Sequence, residues 1–350
     1  MGNVAIWMQA YNAEKTIVRA IESIHNQSYT NWELHILNNG STDNTGAVIR
    51  TYAKQDNRIV TYTAAVNNID TLRYYNDVIE NTSANWLAML DADDEYRADF
   101  LEKMVIFAES EKLDVAACGY EKICAQTGRV LRRKALEYNM IISGDDFAEK
   151  FIEYRGFTPY LWAKLTSVAF LKQNFVIHPG PPWSTCIDSI MSLQVFQKAT
   201  RAGIYGEPMY VYYQYPSSLS RKVDEESIAS FNDYWRITKE YIESYGPISK
   251  LNEDFLYAIY LSIMDENLSF IYSSSLEFRR KIDLIKCLFT NPIAIETFNR
   301  NADPVFRNLA GRKQFAQNVI NWIKSQPENT FGDTGEVLDI LQSLSHVVPS

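Results

Sequence analysis

A chain of 350 residues is long for one hydrophobic core, and with 46% apolar and 13% aromatic residues it is expected to fold as two domains. A formal net charge of −9 with no Lys/Arg block excludes a nucleic-acid partner, whose binding needs phosphate-neutralising side chains in quantity. Cys118, Cys124, Cys186 and Cys287 are scattered without CxxC spacing and read as reduced thiols. No stretch reaches the roughly 18 apolar residues of a membrane span, so a cytoplasmic protein is expected, with the inner membrane face as a second location.

The first half alternates strand and helix. Val4 to Met8 is a short apolar run, followed by the loop Gln9-Ala10-Tyr11-Asn12 and by Ile17, Ile21 and Ile24 at helical spacing. Trp32, Leu34 and Ile36 alternate as a strand, the turn Asn38 to Asp43 follows, and a helix runs to about Lys54. Arg58 to Thr63 is a third strand, Leu72 to Glu80 a helix, Trp86 to Leu90 a strand, Ala98 to Glu111 a helix and Val115 to Tyr120 a strand. This alternation predicts a mostly parallel, Rossmann-like sheet in three α/β/α layers, with the post-strand loops gathered at one edge.

Lys122 to Arg133 suits a hairpin carrying basic residues, and Ser143-Gly144-Asp145-Asp146 opens a helix. Trp162-Ala163-Lys164-Leu165 leads into an amphipathic segment to Lys172, and residues 178–183 form a Pro-rich loop ending in Trp183. Cys186-Ile187-Asp188 enters a helix with Ile190, Leu193, Val195 and Phe196, and Met209 to Tyr213 is a strand ending in the Ser-rich, basic segment 216–222. After about Asp224 strand patterns stop. Tyr234, Trp235, Tyr241 and Ile242 mark one helical stripe, Phe255, Ile259, Ile263 and Leu268 a second, and Ile282, Ile285 and Phe289 a third. The expected division is residues 1–222 as an α/β domain and 223–350 as a helical C-terminal domain.

The chemistry concentrates where the Trp86–Leu90 strand runs into Asp91-Ala92-Asp93-Asp94-Glu95, four carboxylates in five residues. Like charges crowded at a strand tip make sense if a cation sits among them. Mg²⁺ or Mn²⁺ is suited, being held by one or two carboxylates plus substrate phosphates. The competing account is a solvated acidic turn whose Asp94 or Glu95 favours a helix N-terminus.

Four motifs in order, Tyr11-Asn12-Ala13-Glu14, Gln27-Ser28-Tyr29, Asn39-Gly40-Ser41-Thr42-Asp43 and Leu90-Asp91-Ala92-Asp93-Asp94, resemble the family 2 glycosyltransferases of GT-A fold. The resemblance continues through Trp162-Ala163-Lys164-Leu165 and Ile187-Asp188 to Tyr212-Tyr213, about the first 215 residues; the helical remainder carries no family signature. It implies a GT-A domain and an inverting transfer of a sugar from a nucleotide-diphosphate sugar, a UDP-sugar first, to a hydroxyl on a glycan, polymer or protein. It places Ala10, Tyr11, Glu14 and Asn39 at the nucleotide, Arg73 within reach of the diphosphate, and Asp91, Ala92 and Asp93 at the donor, with Asp93 and Asp91 holding the metal. Asp188 is the implied general base, Trp183 and Asp94 face the acceptor, and Ser218, Ser220 and Arg221 belong to a loop that closes over the donor.

Residues depart from that pattern at three positions. Asn39 stands where an Asp usually accepts a proton from uracil, Ile187 precedes the base, and Tyr75 stands directly before Asn76 where the family often has an Arg. Other accounts of single residues stay open: Asp188 as a helix cap, Arg73 as a solvated helix arginine, Trp162 as a core residue, and 217–222 as a linker. So do two other functions, a silent nucleotide-sugar-binding scaffold and a nucleotidyltransferase, although the latter's Gly-rich basic loop is missing after the first strand. An amphipathic face of the helical domain could dock on a membrane or pair two copies of the chain.

Overall fold

The structure, a computed structural model, describes residues 2–67, 72–174, 186–215, 223–300, 305–326 and 334–346. Its described residues divide into two compact units, one holding all of their strands and the other a set of helices. The boundary expected at residue 222 adjoins 216–222, outside the described residues.

The strands of the first unit are β1 (Val4–Ala10), β2 (Trp32–Asn39), β3 (Ile59–Ala64), β4 (Trp86–Met89), β5 (Glu95–Tyr96), β6 (Val115–Cys124), β7 (Val130–Lys134), β8 (Met140–Ser143), β9 (Lys164–Ser167) and β10 (Arg201–Gln214). They form one sheet in the order β3-β2-β1-β4-β9-β6-β10-β5, with β7 added to β6 and β8 to β10. β3, β2, β1 and β4 are mutually parallel, so Ala10, Asn39, Ala64 and Met89 all end at one edge. β9 enters antiparallel between β4 and β6, and β10 then runs parallel to β6. The sheet is therefore Rossmann-like on one side and mixed on the other.

Period-two alternation along β1 divides the layers. Val4, Ile6, Met8 and Ala10 join the core beneath α1 (Ile17–His25), α2 (Thr45–Gln55) and α4 (Phe100–Ser110), through Ile21, Ile49 and Met104. On the opposite face Trp7 packs edge-on against Tyr75 of α3 (Leu72–Asn81). A small cavity there is walled jointly by α3, by Leu171 of α7 (Val168–Asn174) and by Ser192 and Val195 of α8 (Ile187–Lys198). Short helices α5 (Asp146–Glu149) and α6 (Phe151–Tyr154) precede β9.

Several elements differ from expectation. The amphipathic segment expected up to Lys172 is α7, with Val168, Phe170 and Leu171 buried, but the strand β9 before it went unread, because a four-residue strand is too short for its alternation to register. β5, of 2 residues, and β8, of 4, went unread for the same reason. The strand expected at Met209–Tyr213 is the second half of β10, whose register slips around Pro208, a residue with no N–H for the ladder.

The second unit holds α9 (Glu225–Glu243), α10 (Lys250–Ser273), α11 (Phe278–Thr290), α12 (Pro292–Asn299), α13 (Arg307–Ala310), α14 (Arg312–Ser325) and α15 (Gly335–His346). α9 starts on a reciprocal cap in which Ser227 N–H donates to Asp224 and Asp224 N–H donates to Ser227 Oγ. In α10 the buried stripe is Leu256, Tyr260, Leu261, Met264 and Leu268, one residue round from the expected stripe of Phe255, Ile259 and Ile263. That helix is apolar around much of its circumference, so spacing alone does not choose a face. Among the described residues no helix is long and apolar enough to cross a membrane.

Candidate active site

Two loops at the C-terminal edge of β1 and β2 are laced together. Asn12 N–H donates to Ser41 Oγ at 3.0 Å, Ala13 N–H to Thr45 Oγ1 at 2.7 Å and Glu14 N–H to Asp43 at 3.1 Å, while Asn44 donates twice to Glu14 Oε2. Gly40 makes the second turn feasible: its φ is +70°, and a Cβ there would lie 2.2 Å from the Val66 carbonyl carbon. This lacing leaves Tyr11 42% exposed at the rim and Ala10 buried beneath it. Asn39 is buried with its amide donating to Asn67 Oδ1 at 3.0 Å.

The neighbouring β4 ends in the acidic cluster. Carboxylate oxygens of Asp91, Asp93 and Asp94 lie within 4.8 Å of one another. Asp94 is fully buried, and both its oxygens are engaged by β10: Tyr210 OH donates at 2.8 Å and Tyr213 N–H at 2.8 Å. The expected acceptor-facing carboxylate is thus turned inward, where it ties the loop to β10. Asp91 and Asp93 are half-buried. Burial, then the charges of Asp188 and Asp93, push the Asp91 carboxyl up to about 8. Asp93 is raised chiefly by burial, which outweighs the opposing effect of Arg19. A half-buried carboxyl held that high needs a proton or a cation beside it. The donor set is all hard oxygen, and it fits Mg²⁺ or Mn²⁺.

Arg19 of α1 holds this loop from the other side. Its guanidinium donates to the Asp93 carbonyl and to Tyr215 OH at 3.1 Å, pairs with Glu95 at 2.9 Å and lies 3.7 Å above the Tyr213 ring. We expect Tyr210→Phe to cost about 1–3 kcal/mol in urea unfolding, because a buried carboxylate loses a donor that water cannot replace. An unchanged midpoint would show that Asp94 does not depend on that bond.

Asp188 lies in the first turn of α8, on the face of the sheet that carries α3. It is accessible to solvent yet walled by enough protein that desolvation raises its pKa, with Lys164 opposing. Its charge acts on both Asp91 and Tyr75. Lys164 is buried, and its ammonium donates to the Tyr160 carbonyl. Desolvation draws Lys164 down to about 7, with Cys118 and Asp188 opposing. Ala163, just before it, is held at φ +55°, a conformation costing an alanine about 1–2 kcal/mol. Its carbonyl accepts from Cys118 N–H at 3.0 Å, and the twist sends Trp162 one way into an aromatic stack and Lys164 the other.

The structure thus brings Asp91, Ala92, Asp93 and Asp188 into one neighbourhood, with Ala10, Tyr11, Glu14 and Asn39 along the same sheet edge. Arg73 is exposed on α3, where it donates to Tyr74 OH at 2.7 Å, and it has no contact with the acidic cluster among the described residues. Trp183, Ser218, Ser220 and Arg221 lie outside the described residues. Arg19 and Tyr210 carry no signal in the sequence, and Lys164 and Tyr213 appear there only within motifs and without a role, since the partners of all four are brought close only by the fold. Size does not locate the site either: a recess of 490 Å³ lined by Gly2, Asn85, Glu109 and Ser167 sits at the opposite end of β4.

Residues 5–168 match the family described as Glycosyl transferase family 2. The chain is similar to the uncharacterized glycosyltransferase EpsJ of Bacillus subtilis (strain 168), 26% identical over 220 residues, 62% of this chain. It spans 62% of that relative's length, less than two thirds. It is also similar to the putative teichuronic acid biosynthesis glycosyltransferase TuaG of the same organism, 32% identical over 129 residues, 37% of this chain and 50% of TuaG. In fold it is similar to the crystal structure of S. aureus TarS 1-349 in complex with UDP-GlcNAc, at 14% identity and TM-score 0.53, covering 98% of this chain and 88% of that one.

Proposed function

We propose, from the match of residues 5–168 to glycosyl transferase family 2, that the chain is a member of that family and moves a sugar from a nucleotide-diphosphate sugar, with UDP as the first candidate nucleotide, to an acceptor hydroxyl with inversion. The fold is the GT-A type with a helical C-terminal region. The observation that carries the reading is the meeting of Asp91 and Asp93 at one sheet edge with Asp188 close enough to act on Asp91.

In this reading Asp93 and Asp91 would hold Mg²⁺ or Mn²⁺, because both oxygens of Asp94 are already engaged by β10. Such an ion supplies charge neutralisation to the departing diphosphate. Asp188 accepts the proton of the acceptor hydroxyl as its oxygen bonds to the anomeric carbon and the bond to the diphosphate breaks. Confinement raises the basicity of Asp188, and Lys164 behind it keeps enough of the carboxylate form available. Asn39 accepts through its amide oxygen or donates through nitrogen, and Tyr11 offers an exposed ring to the nucleoside.

The TarS complex holds UDP-GlcNAc, and its shared fold supports a UDP-sugar as the first donor to try here. A thermal-shift screen of nucleotides and nucleotide sugars, each with and without Mn²⁺, tests this. UDP with Mn²⁺ is expected to raise the melting temperature, since saturation at about 100 times Kd stabilises the folded state by about 2.7 kcal/mol. A shift with GDP alone would move the donor to another base. No shift with any nucleotide would overturn the proposal.

A further inference from the structure

Four carboxylates follow β4, and the fold treats them as two pairs. Asp94 is committed to β10 through Tyr210 OH and Tyr213 N–H. Glu95 is committed to Arg19, whose Nε lies 2.9 Å away, and to Tyr213 OH at 3.1 Å. The pair that remains for a cation is Asp91 and Asp93. Their main chain is anchored on two different elements. Asp91 N–H donates to Tyr210 OH of β10 at 3.3 Å, and Asp94 N–H closes a turn onto the Asp91 carbonyl at 3.1 Å. On the Asp93 side the anchor is α1, because Arg19 donates to the Asp93 carbonyl. A peptide unit is planar, so holding that carbonyl fixes the whole plane that follows Asp93 and narrows the directions open to its side chain.

Arg19 is itself held in place. Its guanidinium lies 3.7 Å above the Tyr213 ring and donates to Tyr215 OH at 3.1 Å, in addition to its contacts with Glu95 and Asp93. A planar fork with five donors serves several acceptors at fixed angles, which a lysine ammonium does not. The packing of α1 makes no use of this residue: the helix buries Ile17, Ala20, Ile21 and Ile24, and the Arg19 side chain, 34% exposed, lies off that stripe. Its contacts are all made across the gap, on the acidic loop and the end of β10.

We propose that Arg19 is a positioning residue for the metal site: by holding the Asp93 carbonyl and engaging Glu95, it sets the two-carboxylate arrangement that favours Mg²⁺ or Mn²⁺. This deepens the proposed sugar transfer and rests on its metal reading. A small ion that keeps near-ideal octahedral geometry depends on where each carboxylate stands, whereas Ca²⁺ accepts irregular sets of oxygens. Loosening the loop should therefore cost the smaller ions most.

The test is calorimetric titration of the full chain with Mn²⁺ and with Ca²⁺, each with and without UDP. The parent is compared with Arg19→Gln, Arg19→Lys and Arg58→Gln. Arg58 makes the same kinds of contact at the opposite edge of the sheet, an ion pair with Asp56 at 2.7 Å and a guanidinium 3.6 Å from the Trp32 ring, so it controls for general loosening. Arg19→Gln is expected to weaken Mn²⁺ binding about 10–100-fold, the usual effect of removing a group that orients a metal ligand, and to lower the Mn²⁺/Ca²⁺ affinity ratio about tenfold. Arg19→Lys keeps the charge without the fork and should lose nearly as much, which keeps the test decisive if the glutamine variant folds poorly. Arg58→Gln should bind both ions like the parent. Amide hydrogen exchange without metal gives a second readout: the Asp94 N–H is expected to exchange about tenfold faster in Arg19→Gln than in the parent, as its turn opens more often.

Parental Mn²⁺ affinity in either Arg19 variant, an equal loss in Arg58→Gln, an unchanged Mn²⁺/Ca²⁺ ratio or unchanged exchange at Asp94 would overturn the role of Arg19 and leave the metal reading standing. Absence of Mn²⁺ binding by the parent, with and without UDP, would overturn the metal reading and this proposal with it.

Discussion

Asp188→Asn is expected to lower sugar transfer by about 10²–10⁴-fold, the usual contribution of a positioned general base, while nucleotide binding stays as in the parent. The substitution keeps the shape of the side chain and its place in the first turn of α8. It removes the carboxylate assigned to take the proton from an incoming hydroxyl. A base whose pKa is raised by confinement is protonated, and so inactive, on the acid side of that raised value. The rate of the parent should therefore fall as pH drops through a pKa above the ordinary aspartate value of 3.8, and the variant should lose that limb. Removing the Asp188 charge also removes one of the influences that raise Asp91. The variant should accordingly need no more Mn²⁺ than the parent to bind nucleotide. Near-parental turnover in Asp188→Asn would refute its role as base.

Asp93→Asn is expected to abolish the Mn²⁺-dependent part of nucleotide binding and to lower transfer about 10³-fold, since charge neutralisation of a leaving diphosphate is worth several kcal/mol in the transition state. The fold should survive the change. The Asp93 carbonyl, not its carboxylate, is what Arg19 holds, and the inward-turned Asp94 is what fastens the loop to β10. Unfolding by urea should thus move little in Asp93→Asn. Nucleotide titration with Mn²⁺, Mg²⁺ and EDTA reads the effect. Metal-dependent binding that persists in Asp93→Asn would exclude that carboxylate as a ligand.

Much of this arrangement is legible in the sequence because it is local. A parallel strand ends where its apolar run ends, so the loops after Ala10, Asn39 and Met89 had to share an edge, and the acidic cluster had to stand there. Turn chemistry marked Gly40, whose positive φ the structure requires. Contacts made at long range were not legible. Asp94 reads as one more acceptor-side carboxylate until Tyr210 and Tyr213, 116 and 119 positions away, are folded onto it. Lys164 reads as part of a motif, and only its burial, on the Tyr160 carbonyl and within reach of the Asp188 charge, gives it an electrostatic role. Arg73 is another such case: the family resemblance puts it within reach of the diphosphate, and what the fold adds is a hydrogen bond to its neighbour Tyr74 on an exposed face of α3.

A crystal structure of the full chain grown with UDP and Mn²⁺ tests the account most directly. It should show an Asp93 carboxylate oxygen about 2.0–2.2 Å from an ion that also binds the diphosphate, with Asp188 facing the open space beside it. An ion bound without Asp93 or Asp91, or Asp188 turned away from the diphosphate, would contradict it.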